Sequence, residues 1–121
     1  MGPRTSIGTR ASLWVCTALF AAGAVFGHAR LLGASPAAGA ELTAPPASLT
    51  LRFNGNVRLA RLKISAAGRA IPVIIDPDAK SSSSVTIALP PLAAGTYEVE
   101  WSALTPSDGH VVKGAYSFVI R

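Results

Sequence analysis

The chain carries two histidines, His28 and His110, and each stands where it could bind a metal. His28 follows an apolar N-terminal segment, so a cut after Gly27 makes it the first residue of the remaining chain. A histidine at a free N-terminus offers two nitrogens, its α-amine and its ring. His110 closes the tetrapeptide Ser107-Asp108-Gly109-His110. With the Asp108 carboxylate, these groups make three nitrogens and one oxygen, a flat donor set that suits Cu(II). In an extended segment Asp108 and His110 leave the same face, ~6.6 Å apart along the chain. Gly109 between them lets the backbone bend. The bland alternative is a hairpin turn at Asp108-Gly109 with both histidines solvated. Spacing alone leaves both readings open.

The segment before His28 reads as an export signal, with residues 28–121 as the one domain that folds. Arg4 and Arg10 form a positive start, Ala11 to Phe26 is almost wholly apolar, and the small residues Val25 and Gly27 stand where a signal peptidase reads. The apolar run is shorter than the ~20 residues of a spanning helix, and no charged cluster follows it. Cys16 and Met1, the only cysteine and methionine, both lie in this leader over 1–27. The remaining 94 residues therefore hold no disulfide, although small exported domains often need them. They carry nine basic and six acidic residues, scattered and without a run, which gives no case for a nucleic-acid partner.

Short alternating runs between turn signals predict the elements that must position the two arms. Leu49, Leu51 and Phe53 form one face of a strand that Asn54-Gly55-Asn56 is expected to break. Leu62 to Ile64 is a second run, and Ile71 to Ile75, interrupted by Pro72, a third at a sheet edge. Asp76-Pro77-Asp78 and Ser81 to Ser84 read as a turn and a mobile loop. Val85, Ile87 and Leu89 alternate again. Tyr97, Val99, Trp101 and Ala103 share one face of the clearest strand, and Tyr116, Phe118 and Ile120 one face of the last. Pro36, Gly39, Pro45 and Pro46 predict an extended, turn-rich entry segment. No helical period competes. Six to seven strands in so short a chain predict an all-β, antiparallel sandwich or barrel, with Trp101 in its core.

Several stretches resemble the CopC-type periplasmic copper-binding proteins. They are His28-Ala29-x-Leu31, Ser35-Pro36-Ala37-x-Gly39, Leu49-x-Leu51-x-Phe53-Asn54, Gly95-x-Tyr97-x-Val99-x-Trp101, and Ser107-Asp108-Gly109-His110 with Gly114 and Phe118-Val119. The resemblance covers the whole chain after the leader. It implies a small Ig-like or cupredoxin-like β-sandwich that binds one Cu(II) through the amine and ring of His28, the ring of His110 and the carboxylate of Asp108. It implies a monomer in the periplasm or outside the cell that serves copper resistance or homeostasis, with an inner-membrane copper transporter of the CopD type as partner. Two departures stand out. Some members carry a methionine-rich Cu(I) loop, and residues 28–121 have no methionine. The stretch Ala103-Leu104-Thr105-Pro106 is one residue longer than the commonest family form, which predicts a bulge in the arm before Asp108.

Two other classes compete with a non-enzymatic copper carrier. A copper-dependent oxidative enzyme can use a similar N-terminal histidine, but needs an aromatic substrate face. The aromatics after the leader, Phe53, Tyr97, Trp101, Tyr116 and Phe118, all fall at core-like positions. An Ig-like interaction module would need no metal. The first test is processing: intact mass of the exported protein should place His28 first. A cut after Ala29, starting the protein at Arg30, would delete the proposed ligand and end the copper reading.

Overall fold

A computed structural model describes residues 29–121, so the expected leader and His28 lie outside the described residues. Seven strands make the fold: β1 (Leu31–Ser35), β2 (Glu41–Leu42), β3 (Ser48–Ala66), β4 (Arg69–Ile71), β5 (Ser82–Ala88), β6 (Gly95–Leu104) and β7 (Val111–Ile120). The all-β expectation holds, and no helix occurs among the described residues. The sheet is mixed rather than wholly antiparallel, because β2 pairs parallel to the end of β7 (Glu41↔Val119, Leu42↔Ile120).

β3 organises the sheet. Its first half pairs antiparallel with β1 and β5, and its second half with β6 and β4. Asn54-Gly55-Asn56 therefore does not end a strand. The chain runs on through it and passes from one layer to the other. Leu49, Leu51, Phe53, Val57 and Leu59 are buried at odd positions, whereas Leu62 and Ile64 are buried at even ones. The phase changes where the register against β6 slips between Leu59 and Arg61. One extra residue moves every later side chain to the opposite face, so a bulge here keeps the apolar side of both halves inward.

The two layers close over one core. Phe53 from β3 meets Trp101 from β6 edge to face, with centroids 5.2 Å apart and planes at 78°. Tyr97 stacks on its cross-strand partner Phe118 at 5.3 Å and 12°, and its hydroxyl donates to the Ala93 carbonyl at 2.6 Å. Burial pushes the Tyr116 hydroxyl up to about 12, because its charged form loses water there. Gly114 faces Trp101 directly across β6 and β7. A Cβ at Gly114 would lie 2.8 Å from Trp101 Cζ2 and 3.1 Å from its Nε1, so the indole needs that missing side chain.

Three local expectations change. Ile71 to Ile75 is not a strand: β4 stops at Ile71, before Pro72, which has no N–H to give a ladder. Ser82–Ser84 is not a mobile loop but the start of β5, with Ser84 paired to Arg52 and Ser82 to Val57. The entry segment contains the short strands β1 and β2. Around the core, Trp101→Ala should cost about 3–5 kcal/mol through the cavity it leaves. Gly114→Ala should cost about 1–3 kcal/mol by crowding the same ring. Urea unfolding of both variants measures this, and a parental midpoint for Gly114→Ala would show that the indole is not held against β7.

Candidate metal centre

β6 and β7 pair without a register shift from Gly95↔Ile120 to Leu104↔Val111. The expected bulge is therefore absent from this strand pair, and the arm continues as the turn Thr105 to His110. That turn is closed by backbone bonds: the Thr105 N–H donates to the His110 carbonyl at 2.9 Å, and the Gly109 N–H to the Thr105 carbonyl at 2.8 Å. Gly109 takes a positive φ of 71°, where an L side chain would be strained.

The turn curls Asp108 and His110 together more tightly than an extended arm would. Asp108 Oδ2 lies 3.1 Å from His110 Nδ1. Asp108 Oδ1 accepts the His110 backbone N–H at 3.1 Å and the Thr105 hydroxyl. Both side chains face water, with 57% of the His110 side chain and 38% of the Asp108 side chain exposed. An ion pair this exposed contributes little to folding. Its geometry matters more. Two donors on adjacent corners of a square plane, each ~2.0 Å from an ion, stand roughly 2.8 Å apart. The observed spacing fits two neighbouring corners of such a site after a small adjustment. Among the described residues, no third His, Cys, Asp or Glu completes a cluster with them.

The other end of the domain arrives beside this turn. Ala29 and His110 line one open groove of about 730 Å³, together with Arg30 and Val111. Asn54 sets that approach: the Arg30 N–H donates to Asn54 Oδ1 at 2.7 Å, and the Asn54 N–H donates to the Arg30 carbonyl at 3.0 Å. Ala29 also packs partly against the core. The structure thus brings Asp108 and His110 together, and brings the covalent neighbour of His28 into the groove that His110 lines.

Two positioning residues were not legible as such. Asn54 looked like part of a strand break, because its pairing with Arg30 is invisible in a linear chain. Thr105 was only one of four residues in the stretch Ala103-Leu104-Thr105-Pro106. Its spacing of three from Asp108 was the one available signal, a spacing over which a hydroxyl and a carboxylate can meet in a turn.

Comparisons with known proteins bear on the family and the fold. The CopC domain model matches residues 31–121. Copper resistance protein C of Escherichia coli is 32% identical over 104 residues, covering 78% of this chain and 82% of its own. The crystal structure of CopC from Methylosinus trichosporium OB3b superposes with a TM-score of 0.63 at 35% identity, over 77% of this chain and 93% of its own. PcoC, a methionine-rich copper resistance protein from Escherichia coli, superposes with a TM-score of 0.64 at 28% identity, over 78% and 100% of the two chains.

Removing the Asn54 amide should loosen the entry to the groove. In Asn54→Ala the Arg30 amide should exchange about ten-fold faster, the equivalent of one lost hydrogen bond of ~1.4 kcal/mol. Unchanged protection at Arg30 would show that Asn54 does not hold the segment.

Proposed function

Because this chain belongs to the CopC family and is a copper-handling protein, we propose that it is exported to the periplasm or beyond and holds one Cu(II). The ligands in this reading are the α-amine and ring of His28, the ring of His110 and the carboxylate of Asp108. The supporting observation is the 3.1 Å approach of His110 Nδ1 to Asp108 Oδ2, at the rim of a groove that Ala29 also lines.

The donor chemistry agrees. Imidazole, amine and carboxylate favour Cu(II), which also heads the divalent affinity order for such sites. Residues 28–121 contain no thiolate or thioether, in contrast to the methionine-rich PcoC. Reduction to Cu(I), which prefers soft sulfur, should therefore loosen the metal. The exposure of His110 leaves the ion open to exchange with a second protein, for which an inner-membrane transporter of the CopD type is the candidate. The chain acts in this reading as a monomeric carrier or buffer of copper and not as a catalyst. Phe53, Tyr97, Trp101 and Phe118 are spent in the core, so they cannot form an aromatic face for a polymeric substrate.

The ligand roles separate by mutation. His110→Ala should abolish tight Cu(II) binding while the metal-free protein keeps its melting temperature, because the imidazole is exposed and outside the core. Asp108→Ala should weaken binding less, since water replaces a carboxylate at Cu(II) more readily than an imidazole. Cu(II) titration against a competing chelator, with the spin-resonance spectrum, reads both. A protein that retains Gly27 should also bind weakly, because an amide nitrogen then replaces the free amine. Parental affinity in His110→Ala would overturn the site and favour an interaction module without metal.

A further inference from the structure

One edge of β7 is filled only in part. The strand pairs with β6 along its whole length. Its other edge is taken at the far end by the segment that leads through β2. There the Gly39 N–H donates to the Ser117 carbonyl at 2.7 Å, the Val119 N–H to the Ala40 carbonyl at 2.9 Å and the Arg121 N–H to the Leu42 carbonyl at 2.8 Å. In an antiparallel pair, alternate residues turn both backbone groups away from the partner strand. The β6–β7 register has no slip, so Lys113 and Ala115 turn theirs to the same edge as Ser117 and Val119. No backbone group among the described residues meets them there. An open edge of this kind is a template for another extended chain, and β2 shows that this one accepts an extended segment.

The surroundings differ between the two faces of that edge. Side chains of an added strand would alternate between them. On the outer face they would stand beside Lys113, which is exposed and shares one groove with Arg30 and a second with Arg61 and Lys63. Glu100 is the one acid among the described residues that line either groove. None of these five side chains makes an ion pair among the described residues. On the inner face an added strand would meet Leu31 and Leu32, which line a third groove with Gly114 and Ala115. Leu32 is 59% exposed, an apolar surface with nothing over it among the described residues.

We propose that the Lys113 to Ala115 edge of β7 is a docking strand for a partner protein, which adds an extended segment of alternating acidic and apolar residues. Main-chain bonds to Lys113 and Ala115 supply the attachment. Carboxylates beside Lys113 and apolar side chains over Leu31 and Leu32 supply the choice of partner. A second copy of this chain fits less well, because β7 paired with itself would bring the two Lys113 side chains to one edge, and like charges across a ladder repel. The inference does not rest on the Cu(II) reading, since none of the proposed metal ligands takes part in it.

Two short synthetic peptides, capped at both ends, test it: one alternates Val and Glu, the other Val and Lys. Backbone NMR shifts and amide exchange of the full chain are read with each. The Val–Glu peptide should shift Val111 to Ala115 and, at about ten times its Kd, slow exchange of the Lys113 and Ala115 amides about ten-fold. The Val–Lys peptide should do neither. Methylating the amide nitrogens of the Val–Glu peptide should abolish both effects with the protein left intact. Lys113→Glu should weaken the Val–Glu peptide about ten-fold and admit the Val–Lys peptide instead. Shifts without slowed exchange at Lys113 and Ala115 would mean that charge alone is recognised, and would overturn the docking strand. Equal binding of the two peptides, or binding of neither, would overturn it as well. Binding of phosphatidylglycerol vesicles in place of the peptide would assign the surface to a lipid. Protection of the Lys113 amide that grows with protein concentration alone would assign it to a second copy. Either result overturns the partner named here.

Discussion

Backbone pairing along β3 is the constraint on which the other contacts depend. A buried strand must satisfy its N–H and carbonyl groups, and β3 does so with β1 and β5 over one half and with β6 and β4 over the other. Such a strand would normally carry one apolar face. Here the core takes odd positions as far as Leu59 and even positions beyond the register slip between Leu59 and Arg61. Without that slip, Leu62 and Ile64 would point to water and Arg61 and Lys63 to the core. The cost of burying those cations would exceed any gain in regular pairing.

The same strand explains how residues some eighty positions apart come to one place. Arg30 is held by Asn54 within β3. The Thr105 to His110 turn hangs from β6, which pairs with the next part of β3, Arg58 facing Leu104. The two arms therefore share a support, and their separation is set by strand spacing. The β6–β7 ladder adds a second restraint, because its unbroken register to Leu104↔Val111 delivers the turn at one height. Binding groups on a short turn over a rigid sheet combine access with fixed position.

Stability and chemistry are divided between regions. The core rests on aromatic and aliphatic packing alone, with Phe53 against Trp101 and Tyr97 on Phe118, and residues 28–121 hold no cysteine to form a disulfide. Trp101 Nε1 is buried with no hydrogen-bond partner among the described residues. Gly114, which has no side chain, lets that ring lie close against β7. Asp108 and His110 sit outside this core, so the groups proposed to bind copper can change with little effect on folding.

The sequence by itself determined the class of fold and offered a candidate arm. Alternation in Leu49 to Phe53, Tyr97 to Ala103 and Tyr116 to Ile120 marked the inward faces, because a half-buried strand repeats every two residues. Asp108 and His110 stood out as candidates because few residue types bind metal and these two stand two apart, a spacing that a plain turn would share. What tertiary structure decided was everything non-local. β1 and β2 are too short to carry a clear period, and they become strands only by pairing with β3 and β7. Ser82–Ser84 is polar but is recruited by β3. Asn54-Gly55-Asn56 resembles a turn, yet β3 continues through it, with the Asn54 N–H given to the Arg30 carbonyl and ladder pairing resumed at Val57. Thr105 and Asn54 acquire their roles only when the turn closes and Arg30 arrives, since a hydrogen bond depends on where the chain brings its two ends, and a linear order of residues does not contain that distance.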